Sequence, residues 1–215
     1  MSPRPRLSRQ RRLEILGAAV EVIAERGLCD TRVADVARRA GTSAALVLYY
    51  FESKDRLLTE ALTHAEDRFY LETFHELTGI ERAADRLAHL IDRSFPTPRG
   101  SSEMLGDWKL WIELWSRALR DPEVARKREA LDRRWRGTIS DVVRAGQESG
   151  EFEPGDPDDF ALRMASMIDG LAIQAVMGDP EARPERLRRV CMEMAARELG
   201  FERAEPATVP AEGRS

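Results

Sequence analysis

Lysine is almost missing from this chain of 215 residues. Three lysines stand against 31 arginines, so positive charge acts here mainly through guanidinium groups. Cysteine is equally scarce: Cys29 and Cys191 are the whole supply. Two cysteines exclude a disulfide scaffold and point to a reducing compartment, and in such numbers they read as small buried hydrophobes. The three histidines, His64, His75 and His89, are too far apart to sit as a zinc-binding pair on one helical turn. There is no Gly-x-Ser-x-Gly, no phosphate-cradling glycine-rich loop and no dinucleotide fingerprint. No enzyme, cofactor or metal is therefore expected. No apolar run approaches the roughly 20 residues of a membrane helix. The stretch Met1 to Leu7 is positively charged with no apolar segment behind it, so a secretory signal is not expected and the cytoplasm is the expected location.

What is present suits a folded chain. Apolar residues make up 42% and charged residues 33%, enough to bury a core. The net charge of −4 is unevenly spread. Residues 1–60 carry a net +3 and the remainder a net −7, and Arg4, Arg6, Arg9, Arg11 and Arg12 precede the first acid, Glu14. A basic head on an acidic body suits an anionic partner for the head alone; a solvated tail is the plainer alternative.

The pattern is helical nearly throughout, with no sustained alternation and no hairpin signal. Ser8 is expected to cap a first helix that Gly27 ends, and Thr31 a short second one that Gly41 ends. A third runs from about Ser43 to Tyr49, and Ser53 caps a fourth whose stripe is Leu57, Leu58, Ala61, Leu62, Ala65 and Phe69. A fifth is expected over Ile80 to Ser94 and a sixth over Met104 to Leu119, with a Pro- and Ser-rich loop between them. Asp121-Pro122, Asp156-Pro157 and Pro184 open three more, and the residues from 201 to 215 read as a frayed tail.

Residues 31–51 read as two short helices about a turn at Gly41, which is helix-turn-helix spacing. Val36, Ala40, Leu46 and Val47 supply a small core. The start of the third helix would then face a major groove while the second crosses the backbone. An ordinary helical hairpin, with Tyr50 and Phe51 as core aromatics, is the bland alternative.

The segment resembles the DNA-binding domain of the tetracycline-repressor (TetR) family of bacterial regulators. The resemblance rests on Arg26-Gly27, Thr31, Asp35-Val36-Ala37, Ala40-Gly41, Ser43, Tyr50-Phe51, Ser53-Lys54 and Leu57-Leu58, in order over about residues 9–62. Length and helix count extend it over the whole chain. It implies an all-α fold of about nine helices. Residues 1–53 would form a basic arm and helix-turn-helix domain, with the motif at about 32–51. Residues 54–200 would form a helical ligand-binding and dimerisation domain.

The resemblance also implies roles. Thr31 and Arg32, at the start of the second helix, would meet a phosphate. Thr42 and Ser43 would reach phosphate or base edge, while Ala44, Ala45 and Leu46 would touch groove features such as thymine methyls. Tyr49 and Lys54 would hold phosphates, and Arg9 with the rest of the arm would track the backbone or a minor groove. Two positions depart from the family pattern. Leu48 stands where an aromatic is common, and Ala45 where glycine often occurs, so Leu48 cannot donate to a phosphate.

In the body, Trp108, Trp111 and Trp115 fall on one narrow stripe of the sixth helix. They read either as plain core or as a cavity wall whose indole faces could receive flat, apolar or cationic molecules. The resemblance implies an inducer pocket in this domain, with Phe95, Met104, Trp108, Trp111, Trp115, Met164, Met167 and Ile168 as candidates. On the last two helices, Phe160, Met164, Leu171, Ala175, Leu187, Val190, Cys191 and Met194 recur at threes and fours. They read as intramolecular packing or as an interface, and the resemblance implies a four-helix dimer interface.

These readings converge on a homodimeric regulator, a repressor that leaves a palindromic double-stranded operator when a small-molecule inducer binds. Two other classes stay open: a helical adaptor that binds protein instead of DNA, and a helical enzyme.

Overall fold

The computed structural model describes residues 5–95 and 101–202, with side chains except at 5–8, 66, 101–107 and 110. Among the described residues there are nine helices and no strand. They are α1 (Pro5–Arg26), α2 (Val33–Arg39), α3 (Ala44–Phe51), α4 (Lys54–Thr78), α5 (Ala83–Ser94), α6 (Ser101–Ala118), α7 (Pro122–Ser149), α8 (Pro157–Val176) and α9 (Pro184–Leu199). None of them is long and apolar enough to cross a membrane.

Local chemistry sets most of the boundaries. Ser43 Oγ accepts from the Leu46 N–H at 3.2 Å, and Ser53 Oγ from the Arg56 N–H at 3.1 Å, so serines start α3 and α4. Asp121 and Asp156 cap α7 and α8, each with proline in the first turn. Gly41 ends the α2–α3 turn at φ +60°, a conformation side chains resist.

Several expected helix starts are corrected. α1 begins at Pro5, ahead of Ser8. Arg32, not Thr31, is the N-cap of α2. The Thr31 hydroxyl is only 1% exposed and donates to the Gly27 carbonyl at 2.7 Å, closing the α1–α2 turn instead. The fifth helix begins at Ala83, three residues later than expected, because its cap comes from far along the chain. Glu151 accepts from the Ala83 N–H at 3.0 Å and the Ala84 N–H at 3.5 Å. These bonds, first among the causes, hold the Glu151 carboxyl below its ordinary pKa.

Two main cores result. The head core gathers Ile15, Ala19, Val22 and Ile23 of α1, Val36 and Ala37 of α2, Val47 and Phe51 of α3, and Leu57, Leu58 and Ala61 of α4. The opening turns of α4 thus belong to the head by packing, and its later turns run on into the body. The body core joins α5, α7, α8 and α9 through Leu87, Ile91, Ile139, Val143, Phe160, Met164, Ile168, Leu187 and Cys191. Where α7 turns into α8, a Cβ on Gly146 would lie 2.2 Å from the buried Phe152 ring, so only glycine fits. A third, smaller cluster of Leu114, Val124 and Leu131 fastens α6 to α7. Burial pushes the Cys191 thiol well up in pKa, in keeping with an inert core residue. Of the loop expected between α5 and α6, residues 96–100 lie outside the described residues, while Ser101 and Ser102 belong to α6, which starts three residues ahead of the expected Met104; the tail from residue 203 also lies outside the described residues.

Candidate nucleic-acid interface and ligand cavity

α3 has one face in the head core and one in solvent. Val47 and Phe51 are fully buried, while Tyr49 is 74% and Leu48 41% exposed, and Ala45 lies exposed beside them. A large aromatic and a leucine held out to water on an eight-residue helix are more telling than buried apolar residues would be. Ser43 is exposed at the start of α3, and Arg32 at the start of α2. Lys54 is half-buried at the start of α4 and donates to the Cys29 carbonyl at 3.1 Å; its ammonium has three hydrogens, so donors remain.

Several expected contacts change. Thr31, buried and bonded within its turn, cannot offer its hydroxyl to a phosphate. Ala44 packs against the head core, because it shares the buried face with Val47 and Phe51; the solvent face is Ala45–Leu48–Tyr49. Leu46 and Thr42 are half-buried. The arm divides as well. Arg9 is exposed, but Arg11 binds Glu14 at 2.7 Å and the Gly41 carbonyl at 3.0 Å. Arg12 pairs with Glu60 and lies 4.5 Å over the Phe51 ring. These two arginines brace the head. Asp35 does the same from α2, accepting from Arg26 at 3.0 Å and Arg38 at 2.5 Å.

The body encloses a cavity of about 250 Å³ among α4, α5, α6, α7 and α8. All four tryptophans of the chain, Trp108, Trp111, Trp115 and Trp135, line it with Phe69, Tyr70 and Ile168. Trp108 and Trp115 meet edge to face at 6.3 Å, and Trp108 donates through Nε1 to the Ser94 carbonyl at 3.0 Å. Arg93, Arg128, Asp132, Arg136 and Asp169 add charge to the wall. Arg128 pairs with Asp132 at 2.5 Å, and Arg93 stacks over Phe69 at 4.8 Å. The tryptophan stripe is thus a cavity wall.

Phe95, Met164 and Met167 do not line the cavity. Phe95 and Met164 are buried in the body core and Met167 packs against it. The side chain of Met104 lies outside the described residues. Trp135, Phe69, Tyr70, Asp132 and Asp169 were missed. For Asp169 a signal existed: it is an acid inside the apolar run of α8. For Trp135 and Tyr70 there was none, since only the packing of α7 on α4 brings them round.

Phe160, Met164, Leu187 and Cys191 are also corrected as interface residues. All four are buried in the subunit's own core, because that face of α8 and α9 packs on α5 and α7. Leu171, Ala175, Val190 and Met194 are half-buried and lie nearer the surface. Leu162, Ser166 and Gly170 on α8 are exposed, and a Cβ on Gly170 would meet nothing within 4 Å.

Head and body are joined by α6 as well as α4. The Leu28 N–H, in the α1–α2 turn, donates to Glu113 Oε2 at 2.6 Å. Arg117 pairs with Asp55 of α4 at 2.9 Å. The helix that lines the cavity with three tryptophans therefore also grips the head.

A helix-turn-helix head on a helical body with an enclosed, aromatic-walled cavity defines a DNA-binding transcriptional regulator of the one-component kind. Comparison with known proteins makes the class specific. Residues 15–61 match the model for bacterial regulatory proteins of the tetR family, and residues 83–200 match the BetI-type transcriptional repressor, C-terminal. The chain belongs to the TetR family, with a BetI-type C-terminal domain, and is a ligand-responsive DNA-binding repressor. The HTH-type transcriptional regulator BetI of Escherichia coli is 26% identical over 185 residues, 84% of this chain and 91% of that protein. A transcriptional regulator from Saccharomonospora viridis, solved in complex with choline, is 31% identical at a TM-score of 0.79, covering 90% of this chain and 99% of its own. A TetR-family regulator from Rhodococcus sp. is 26% identical at a TM-score of 0.73, covering 88% of this chain and 98% of its own.

Proposed function

We propose that the protein is a cytoplasmic homodimeric repressor whose inducer is a small quaternary ammonium compound of the choline type. The observation that carries the reading is the cavity wall of four tryptophans with Phe69 and Tyr70. Aromatic faces carry negative quadrupole charge, so several of them around one small space favour a bulky cation that no single carboxylate could desolvate well. The related regulator from Saccharomonospora viridis holds choline.

The head, residues 1–53 together with the opening turns of α4, reads DNA, and the rest of the body to residue 200 senses the ligand and dimerises. Ala45, Leu48 and Tyr49 meet the major groove, Ser43, Arg32 and Lys54 hold phosphates, and Arg9 follows the backbone with the arm. Two copies pair through the outer faces of α8 and α9, with Leu171, Ala175, Val190 and Met194. Gly170 supports that placement: a mid-helix glycine costs about 1 kcal/mol against alanine, and nothing in its own subunit needs the space. Pairing sets the two α3 helices one DNA turn apart, about 34–36 Å, to read a palindrome. A cation entering the cavity displaces α6, and Glu113 and Arg117 pass that displacement to the head.

Tryptophan fluorescence tests the ligand. Choline is expected to quench it saturably, whereas 3,3-dimethylbutan-1-ol, the uncharged carbon isostere, binds at least tenfold more weakly. Trp111→Ala should weaken choline binding while leaving ligand-free affinity for the DNA upstream of its own gene unchanged in a gel shift. Equal binding of the two isosteres would defeat the cation reading.

A further inference from the structure

Five charged side chains line the cavity, and most of them already have partners. Arg128 and Asp132 pair with each other. Arg93 stacks on Phe69 and lies 3.6 Å from Glu76 and 3.9 Å from Glu72. Asp169 differs. It sits on α8 between Ile168 and Gly170, half-buried, and among the described residues makes no hydrogen bond or ion pair. It also lies at a partition. With Trp115 and Arg128 it lines a second opening, a groove of about 830 Å³ between α1 of the head and α6, α7 and α8.

We propose that Asp169 supplies the counter-charge for the cation bound in this cavity, and that the ligand displaces a proton from it on binding. The inference rests on the cation reading of the cavity. A carboxylate that no donor satisfies, set in the wall of an aromatic cavity, is more costly when ionised than it would be in water. A permanent cation reverses that preference without itself offering a proton.

The surrounding charges agree. Arg128, Asp132 and Arg136 face Asp169 from α7, Arg93 and Tyr70 line the same cavity from α5 and α4, and Lys109 and Glu113 of α6 flank the groove side. Burial, and then the Asp132 charge, push Asp169 up to about 6, against the opposing pull of Arg128 and Arg136. The two arginines are thus outweighed. Asp132, although also raised by burial, has Arg128 on it and serves as a neighbour to Asp169, not as a second free acid.

The chemistry predicts a pH profile. Above about pH 7 Asp169 is ionised and ready for the cation. Below 6 each pH unit must be won back from a bound proton, so affinity falls by up to tenfold per unit. Choline dissociation constants, measured by fluorescence on the full-length protein, should weaken about tenfold from pH 7.5 to pH 5.0. Calorimetry in buffers of different ionisation enthalpy should find close to half a proton released at pH 6. In Asp169→Asn the profile should be flat and the affinity at pH 7.5 reduced at least fivefold, while Asp132→Asn should keep a pH profile.

A flat profile in the wild-type protein overturns the inference and leaves the cation reading standing. The same profile in wild type and Asp169→Asn also overturns it, by moving the proton elsewhere. Failure of choline to bind at any pH overturns the cation reading and this inference with it. The calorimetric measurement needs no variant, so a misfolded Asp169→Asn would not spare the proposal.

Discussion

The head and the body use glycine for different reasons, and the contrast describes how each works. Gly41 in the head has open space where a Cβ would go, yet its φ of +60° excludes most side chains. It serves a turn. Gly146 in the body has an ordinary helical conformation, but a Cβ there would run into the Phe152 ring. It serves a close approach between segments. The head's elements are thus set by local rules (caps, a turn and an alternation of faces over eight residues) around a core that spans only Ile15 to Ala61. The body is assembled from packing between residues far apart in the chain. A reading device can be built from short-range rules because DNA offers a fixed shape. A cavity must be built from whatever long helices bring together.

Substitutions at the two glycines sharpen this contrast most. Gly146→Ala should cost on the order of 3 kcal/mol, because the ring is buried and cannot swing aside. Gly41→Ala should cost only about 1–2 kcal/mol, the penalty of a left-handed dihedral. Denaturant titration of both variants measures the difference; equal losses would remove the distinction. A second substitution cuts the two regions apart. Glu113→Ala removes the acceptor of the Leu28 N–H and should leave both DNA and choline binding nearly intact while lowering the effect of one on the other. If the ligand weakens operator binding by the roughly 5–150-fold usual for such coupling, the variant should retain only a fraction of it, read by gel shift with and without choline. Retention of the full effect would mean that the Arg117–Asp55 pair and α4 carry the signal without Glu113. The smallest change is in the head. Lys54→Ala should weaken binding to all sequences a few-fold and reduce the slope of log affinity against log salt by about one. An unchanged slope would mean that Lys54 only fastens the Cys29 carbonyl.

The same contrast explains what could be read from the sequence. Ser43, Gly41, Ser53 and the prolines after Asp121 and Asp156 act on their nearest neighbours, so the helices they start or stop were legible. Thr31 was misread because a threonine before a helix looks like a cap, whereas its hydroxyl turns back to the Gly27 carbonyl. Ala44 and Ala45 are chemically identical, and only the exact rotation of α3 sends one to the core and the other to solvent. The tryptophan stripe was visible on α6. Its partners were not, because Phe69, Trp135 and Asp169 come from three other helices and face it only after folding. The apolar repeats of α8 and α9 were seen, but periodicity cannot say which side of a helix faces its own subunit. Phe160, Met164, Leu187 and Cys191 proved to face inward.

Glu151 holds the amide groups at the start of α5 from a position 68 residues later in the chain. During synthesis, those amides have no protein partner until the ribosome has passed the end of α7. Until then water must serve them, and the opening turn of α5 stays frayed. The serine caps of the head arrive with their own helices, although the Leu28 N–H in its first turn also waits, for Glu113 of α6. On an emerging chain the reading end can therefore settle early, while the sensing end waits for a residue not yet made.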